Sequence, residues 1–393
     1  MLHRYSVTNF QSFRETVEVS LVLNGKVPEG DLSIHSATGG RVSKIIAVIG
    51  ANASGKTALI KPIPFLSWFV SASFQSSPDE KLPFTPHFAT PELPTEFEVE
   101  FDADGKLWRY ELVANRNMVL HEALYVKRER FNYVFIRDWD AGTEKYKVKQ
   151  KDFGMSPREA SKVRQNASLI ATAAQYDIPL AKRMANPMVS SNVHARGRWN
   201  MDFSQVTKAA SYFSANDIQM KKMNELIANW DFGLSAVRIR KEPAVNNKGE
   251  AQEVLRAFGV HLLSGKEIEL NLFEESSGTQ GAFVLLAKLL PVLERGGVAV
   301  IDEFENDLHP HMLEPIIDLF ANAETNPHHA QLIFTCHALE VLNLLHKSQV
   351  VLVEKDAVCE SKAWRLDSMG GVRPDDNLYA KYMSGAYGAV PQL

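Results

Sequence analysis

Apolar and polar positions alternate over residues 2–7 and 17–22, which predicts two strands joined by Asn9-Phe10-Gln11-Ser12-Phe13. Residues 44–49 are instead a short apolar run ending on Gly50, the composition of a strand buried on both faces with a tight turn behind it. A helix is expected from 55 or 56 to about 74, with Pro62 and Pro64 placed to break it in two. Pro78, Pro83, Pro86, Pro91 and Pro94 make the following stretch a loop. Period two returns from 95 to about 153 and predicts an antiparallel meander, with Asp104-Gly105 as one hairpin turn.

Residues 156–235 turn to helical composition without sustained heptads, so no long coiled-coil arm is expected. A polar, Arg-containing break interrupts them at 190–200. Strands are expected near 237–240, 254–258 and 268–272. The last third alternates strand (298–301), helix (310–323), strand (331–335), helix (339–346) and strand (350–354), the pattern of a parallel sheet with crossover helices. The pattern gives an α/β fold in three parts: an N-terminal lobe 1–154, a helical insertion or lid 155–236, and a C-terminal lobe 237–393.

Within this frame, Gly50-Ala51-Asn52-Ala53-Ser54-Gly55-Lys56-Thr57 matches G-x-x-x-x-G-K-[ST] at every fixed position. Glycines let successive N–H groups converge on phosphates, and the next helix aims its positive end at them. Lys56 is suited to the β/γ oxygens, and the Thr57 hydroxyl to Mg²⁺. The apolar strand at 298–301 ends on Asp302-Glu303, where Asp302 would hold the metal shell and Glu303 would act as general base. Upstream, Glu275-Ser276-Ser277-Gly278-Thr279-Gln280 opens a long apolar helix with small residues at its N-terminus. His337 follows the strand at 331–335, and Cys336 beside it reads as a core residue.

Composition narrows the class. The chain has 393 residues, 45% hydrophobic and 23% charged, and a net charge of −4, which demands neither nucleic acid nor a membrane surface. Two cysteines, Cys336 and Cys359, build no disulfide framework or metal spacing, which fits a cytoplasmic protein. The start lacks the apolar core of a signal peptide. The longest apolar candidate, 285–292, contains Lys288 and a proline, so no membrane span is expected.

These passages together resemble the RecF/SMC-like branch of ABC ATPases. Asn9-Phe10-Gln11-Ser12-Phe13, Pro94-Thr95-Glu96-Phe97-Glu98-Val99, Leu308-His309-Pro310, Thr335-Cys336-His337 and the tails 372–378 and 387–391 extend the likeness to the compact ATPases of prokaryotic abortive-infection and phage-defence cassettes, related to the ATPase half of OLD proteins. The resemblance implies a P-loop NTPase head of the ABC type with an antiparallel β subdomain, using ATP and Mg²⁺. It implies residues 50–57 as the nucleotide cradle, and Ser276 and Gly278 as signature residues addressing the γ-phosphate held by a second copy. It further implies a D-loop at 306–310, His337 as the switch histidine, and Lys56, Glu303 and His337 as the catalytic set. Gln11 stands where relatives carry Arg or Lys, and the Q-loop position is open between Gln75 and the stretch around His87. The partners implied are a homo-oligomer and a separately encoded effector such as a nuclease, because 355–393 has no cluster of nuclease acids.

The alternative is a DNA-repair or chromosome-associated ATPase that clamps nucleic acid. Its candidate basic stretches are 127–130, 196–198 and 238–241, although acids lie among or beside most of them.

Overall fold

In a computed structural model, the strand Ile45–Ile49 is buried along its whole length, and its side chains divide between two cores. Ile46 and Val48 enter one core, while Ile45, Ala47 and Ile49 enter the other. A strand with both faces covered has to be apolar throughout, which accounts for the run. The structure describes every residue except 196, 200–201, 231, 246–250, 306–307, 374 and 392–393.

The sheet around this strand has six members in the order Val189–Ser191, Val298–Ile301, Gln331–Thr335, Ile45–Ile49, Val350–Lys355 and Ser361–Arg365. The first five are parallel and the last is antiparallel. The expected parallel sheet is therefore present, but both of its edge strands escape the sequence pattern. One of them, Val189–Ser191, comes from the supposed polar break. The crossover helices are also shorter than expected: 310–323 becomes a 3₁₀ turn Pro310–Met312 followed by the α-helix Leu313–Ala321, and 339–346 becomes the 3₁₀ segment Leu339–Asn343.

A second, antiparallel sheet of seven strands runs Lys145–Gln150, Phe131–Asp140, Val119–Lys127, Lys106–Ala114, Thr95–Ala103, Leu2–Thr8 and Val17–Ser20. Asp104 and Gly105 both take positive φ, 51° and 68°, as a two-residue hairpin turn of the primed type requires.

Between the sheets lies the helical run that leaves the phosphate loop. It divides into Lys56–Ile60 and Pro62–Ala72, but Lys61 keeps helical geometry, so the prolines mark a new first turn and leave no gap. By length and composition alone the run Lys56–Gln75 is long and apolar enough to cross a membrane, a longer apolar segment than 285–292. It is a core helix here: Phe65 and Phe69 are fully buried, and Phe65 lies 4.8 Å from the ring centroid of Phe97.

Residues 155–236 distribute between the two cores. Leu169–Gln175 packs against Pro62–Ala72 beside the meander, whereas Phe203–Ser214 and Asp217–Asn229 pack against the long helix Ser277–Arg295 on the other face of the central sheet. A three-stranded antiparallel sheet, Ala236–Val245, Ala251–Leu263 and Lys266–Asn271, leads into that helix.

Candidate nucleotide site

The loop after Ile45–Ile49 is shaped by two close approaches. A Cβ on Gly50 would sit 2.2 Å from the Val353 carbonyl oxygen. At Gly55 a Cβ would meet the Ser361 and Ser12 hydroxyls at 2.6 and 2.8 Å, and its φ of 113° disfavours any side chain. Ala53 also has positive φ, and Asn52 and Ala53 form the exposed crest. Lys56 Nζ curls back over the loop and donates to the Gly50 and Ala51 carbonyls, at 2.9 Å each. Burial lowers the pKa of Lys56, while Asp302, Glu305 and Glu303 pull it upward. The Ser54 and Ser12 hydroxyls beside the loop are buried without hydrogen-bond partners, although Ser361 Oγ donates to the Ser54 carbonyl at 2.6 Å.

Asp302 is buried at the end of Val298–Ile301 and gathers the neighbouring strand ends. Thr57 Oγ1 donates to its two carboxylate oxygens at 3.0 and 3.1 Å, and Thr335 Oγ1 donates to Oδ1 at 2.8 Å. The Thr335 hydroxyl also accepts from the Glu303 amide at 2.7 Å. Phosphate loop, acid pair and the strand before His337 are thus joined through two threonines. Glu303 has φ 48°, an uncommon region for a residue with a side chain. The His337 side chain is exposed, and its amide donates to Glu305 Oε1 at 2.5 Å.

Ser276 caps the helix Ser277–Arg295, its hydroxyl accepting from the Thr279 amide at 3.2 Å. Ser276 is exposed and Gly278 half-buried, and no hydrogen bond among the described residues joins 275–280 to the phosphate loop. Asn306 and Asp307 of the expected D-loop lie outside the described residues, whereas Leu308 is buried and His309 caps the 3₁₀ turn that follows.

Several neighbours of this site escaped sequence reasoning. Asn192 pairs with the backbone of Asp302 in both directions, accepting from its amide at 2.7 Å and donating to its carbonyl at 2.8 Å. Arg198 forms an ion pair with Glu303. Both come from a polar stretch with no periodicity, where only the arginines gave a signal. Lys61 Nζ donates to Gln11 Oε1 at 3.3 Å, so a lysine one turn into the helix stands beside Gln11. Of the two Q-loop candidates, Gln75 is exposed, whereas His87 is buried and its amide donates to Asn9.

The donor set suits a nucleotide and Mg²⁺. Two buried hydroxyls beside the loop lack partners, and the Thr57–Asp302 oxygens are hard ligands of the kind Mg²⁺ takes. A strand–loop–helix carrying this loop, in a parallel sheet with an acidic pair at the end of the next strand but one, defines a P-loop NTPase. The family model described as "AAA domain, putative AbiEii toxin, Type IV TA system" matches residues 45–343, and the chain belongs to that family. It is an α/β ATPase-family head with an antiparallel β subdomain. No curated protein matches.

Solved structures that resemble it include an Smc head bound to the C-terminal winged-helix domain of ScpA, with TM-score 0.47, 13% identity, and 92% of this chain and 96% of that one covered. The SMC head domain from Thermotoga maritima gives 0.43 at 15% identity, covering 93% and 98%. An Smc head with an extended coiled coil, bound to the C-terminal domain of ScpA from Pyrococcus furiosus, gives 0.46 at 12% identity, covering 93% and 97%.

Proposed function

We propose that this chain is a Mg²⁺-dependent ATPase that closes head to head on a second copy of itself and acts as a regulatory switch for a separately encoded effector in antiviral defence. The observation that carries the reading is the chain Thr57–Asp302–Thr335–Glu303, which couples the phosphate loop to the acid pair and to the strand leading to His337.

Residues 50–57 would cradle the phosphates, with Thr57 and Asp302 holding Mg²⁺. The bound ion would neutralise charge on the phosphate oxygens. Lys56 would exchange its present carbonyl partners for β/γ oxygens, a stronger charge-assisted contact. Glu303 would orient and deprotonate the attacking water, and His337 would contact the γ-phosphate. Ser276 and Gly278 make no bond to their own phosphate loop, which supports their use on the loop of a second copy. Hydrolysis would then open the pair, making nucleotide state a conformational signal.

The nucleic-acid alternative finds less support at two of its three basic stretches, in the described residues of 196–198 and 238–241. Arg238 and Arg240 pair with Glu267, Glu269 and Glu242, Lys241 pairs with Glu253, and Arg198 pairs with Glu303. Charges already neutralised within the chain are poor phosphate ligands.

A mixing experiment tests the shared site. Lys56→Ala and Ser276→Arg should each lack hydrolysis alone and recover part of it when combined, because one intact composite site can then form. Mixtures as inactive as the single variants would contradict the proposal.

A further inference from the structure

We propose that Arg198 is a latch on Glu303: it engages the carboxylate in an ion pair, and hydrolysis requires its release. The inference rests on the proposed function, because it takes Glu303 as the group that addresses water.

The first observation is direction. Glu303 and Arg198 pair inside a small cleft of about 60 Å³ whose lining also includes Asn192, Trp199, Lys288 and Phe304. No residue of 50–57 lines that cleft. Thr57 instead meets Asp302. Two adjacent acids at the end of one strand are thus committed differently, Asp302 toward the phosphate loop and Glu303 toward Arg198.

The second is anchorage. Val189–Ser191 pairs in parallel register with Val298, Ala299 and Val300, and Ser191 Oγ donates to the Val300 carbonyl at 2.7 Å. Asn192 then clasps the Asp302 backbone, and the small hairpin of Val193–His194 and Gly197–Arg198 delivers the guanidinium. The Trp199 amide closes the hairpin on the Asn192 carbonyl at 2.8 Å. The latch is therefore built onto the strand that carries the acids, so a shift of this segment would be felt at Glu303.

The third is what remains free to move. The Glu303 amide is fixed by Thr335, so release turns the side chain and leaves the backbone in place. The Glu303 side chain is 44% exposed, which leaves room for that rotation. A guanidinium–carboxylate bond favours the held orientation, and a partner seated on 189–199 or the closing second copy could tip the balance.

Steady-state hydrolysis by Arg198→Ala, Arg198→Lys and the parent protein tests the latch. Arg198→Ala should raise kcat about ten-fold with KM for ATP unchanged, the factor corresponding to one charge-assisted hydrogen bond of moderate strength. Arg198→Lys, which keeps the charge and loses the fork, should fall between. A fall or no change in kcat for a folded Arg198→Ala, with Glu303→Gln inactive, overturns the latch and leaves the ATPase reading intact. A Glu303→Gln variant as active as the parent overturns that reading and the latch with it. Thermal melting and binding of a fluorescent ATP analogue separate these outcomes from misfolding; should Arg198→Ala melt early, Arg198→Gln replaces it under the same criteria.

Discussion

Asn192 and Asp302 lie 110 residues apart, yet the Asn192 amide side chain satisfies both the N–H and the C=O of Asp302, at 2.7 and 2.8 Å. A side chain that copies a strand's pairing pattern fixes the acid just past the end of Val298–Ile301. Asn192→Ala leaves two half-buried backbone groups unpaired and should cost about 1–3 kcal/mol of stability. Denaturant unfolding would show the loss, and hydrolysis should fall more steeply than stability because Asp302 loses its register.

Gly55→Ala should abolish nucleotide binding while the protein still folds. The added Cβ meets two hydroxyls below 3 Å, and positive φ adds roughly 1–2 kcal/mol of strain for a residue with a side chain. Titration calorimetry with ATP, alongside a melting curve, separates the two effects.

Away from the site, Arg137 and Glu122 form a fully buried ion pair. Arg137 also donates to the Val163, Arg164 and Ala167 carbonyls, and Glu122 accepts from Tyr110, Ser168 and the Leu169 amide. Arg137→Met strands the carboxylate and should destabilise the protein by about 3–5 kcal/mol. The double variant with Glu122→Gln should recover part of that in chemical denaturation.

His121 is held between Glu111 and Asp138, and hydrogen bonds to them raise its pKa against the opposing effect of burial. A group whose pKa is raised on folding contributes stability that is fully present below its unfolded value. That contribution fades as pH rises through the folded value. The stability difference between the parent and His121→Gln should accordingly be larger at pH 6 than at pH 9. A difference independent of pH would refute this assignment.

The two thiols should react differently. Burial, followed by the nearby Glu305 carboxylate, pushes the Cys336 thiol well up, whereas Cys359 is exposed. Native protein should show one fast equivalent with a thiol reagent and two after denaturation.

Much of the fold was legible in the sequence because the informative segments carry strong local signals. The run 45–49 is apolar without interruption, Asp104-Gly105 marks its own turn, and the alternating pattern of 95–150 specifies a meander. The segment 189–199 was not legible. Its strand is three residues long and polar, and it exists only because Val298–Ile301 offers an open edge and Asn192 completes the pairing. Thr335 could be quoted in a motif, but its role as the hinge between Asp302 and Glu303 depends on two strands brought side by side. The distribution of 155–236 between two cores follows from tertiary packing and has no counterpart in local composition.

Light scattering on Glu303→Gln, with and without Mg-ATP, tests the central claim most directly. The account predicts a mass that doubles on adding Mg-ATP and stays monomeric when Lys56 is also replaced by alanine. A mass that remains monomeric with Mg-ATP demonstrably bound would contradict the head-to-head switch and leave a P-loop ATPase that works as a single chain.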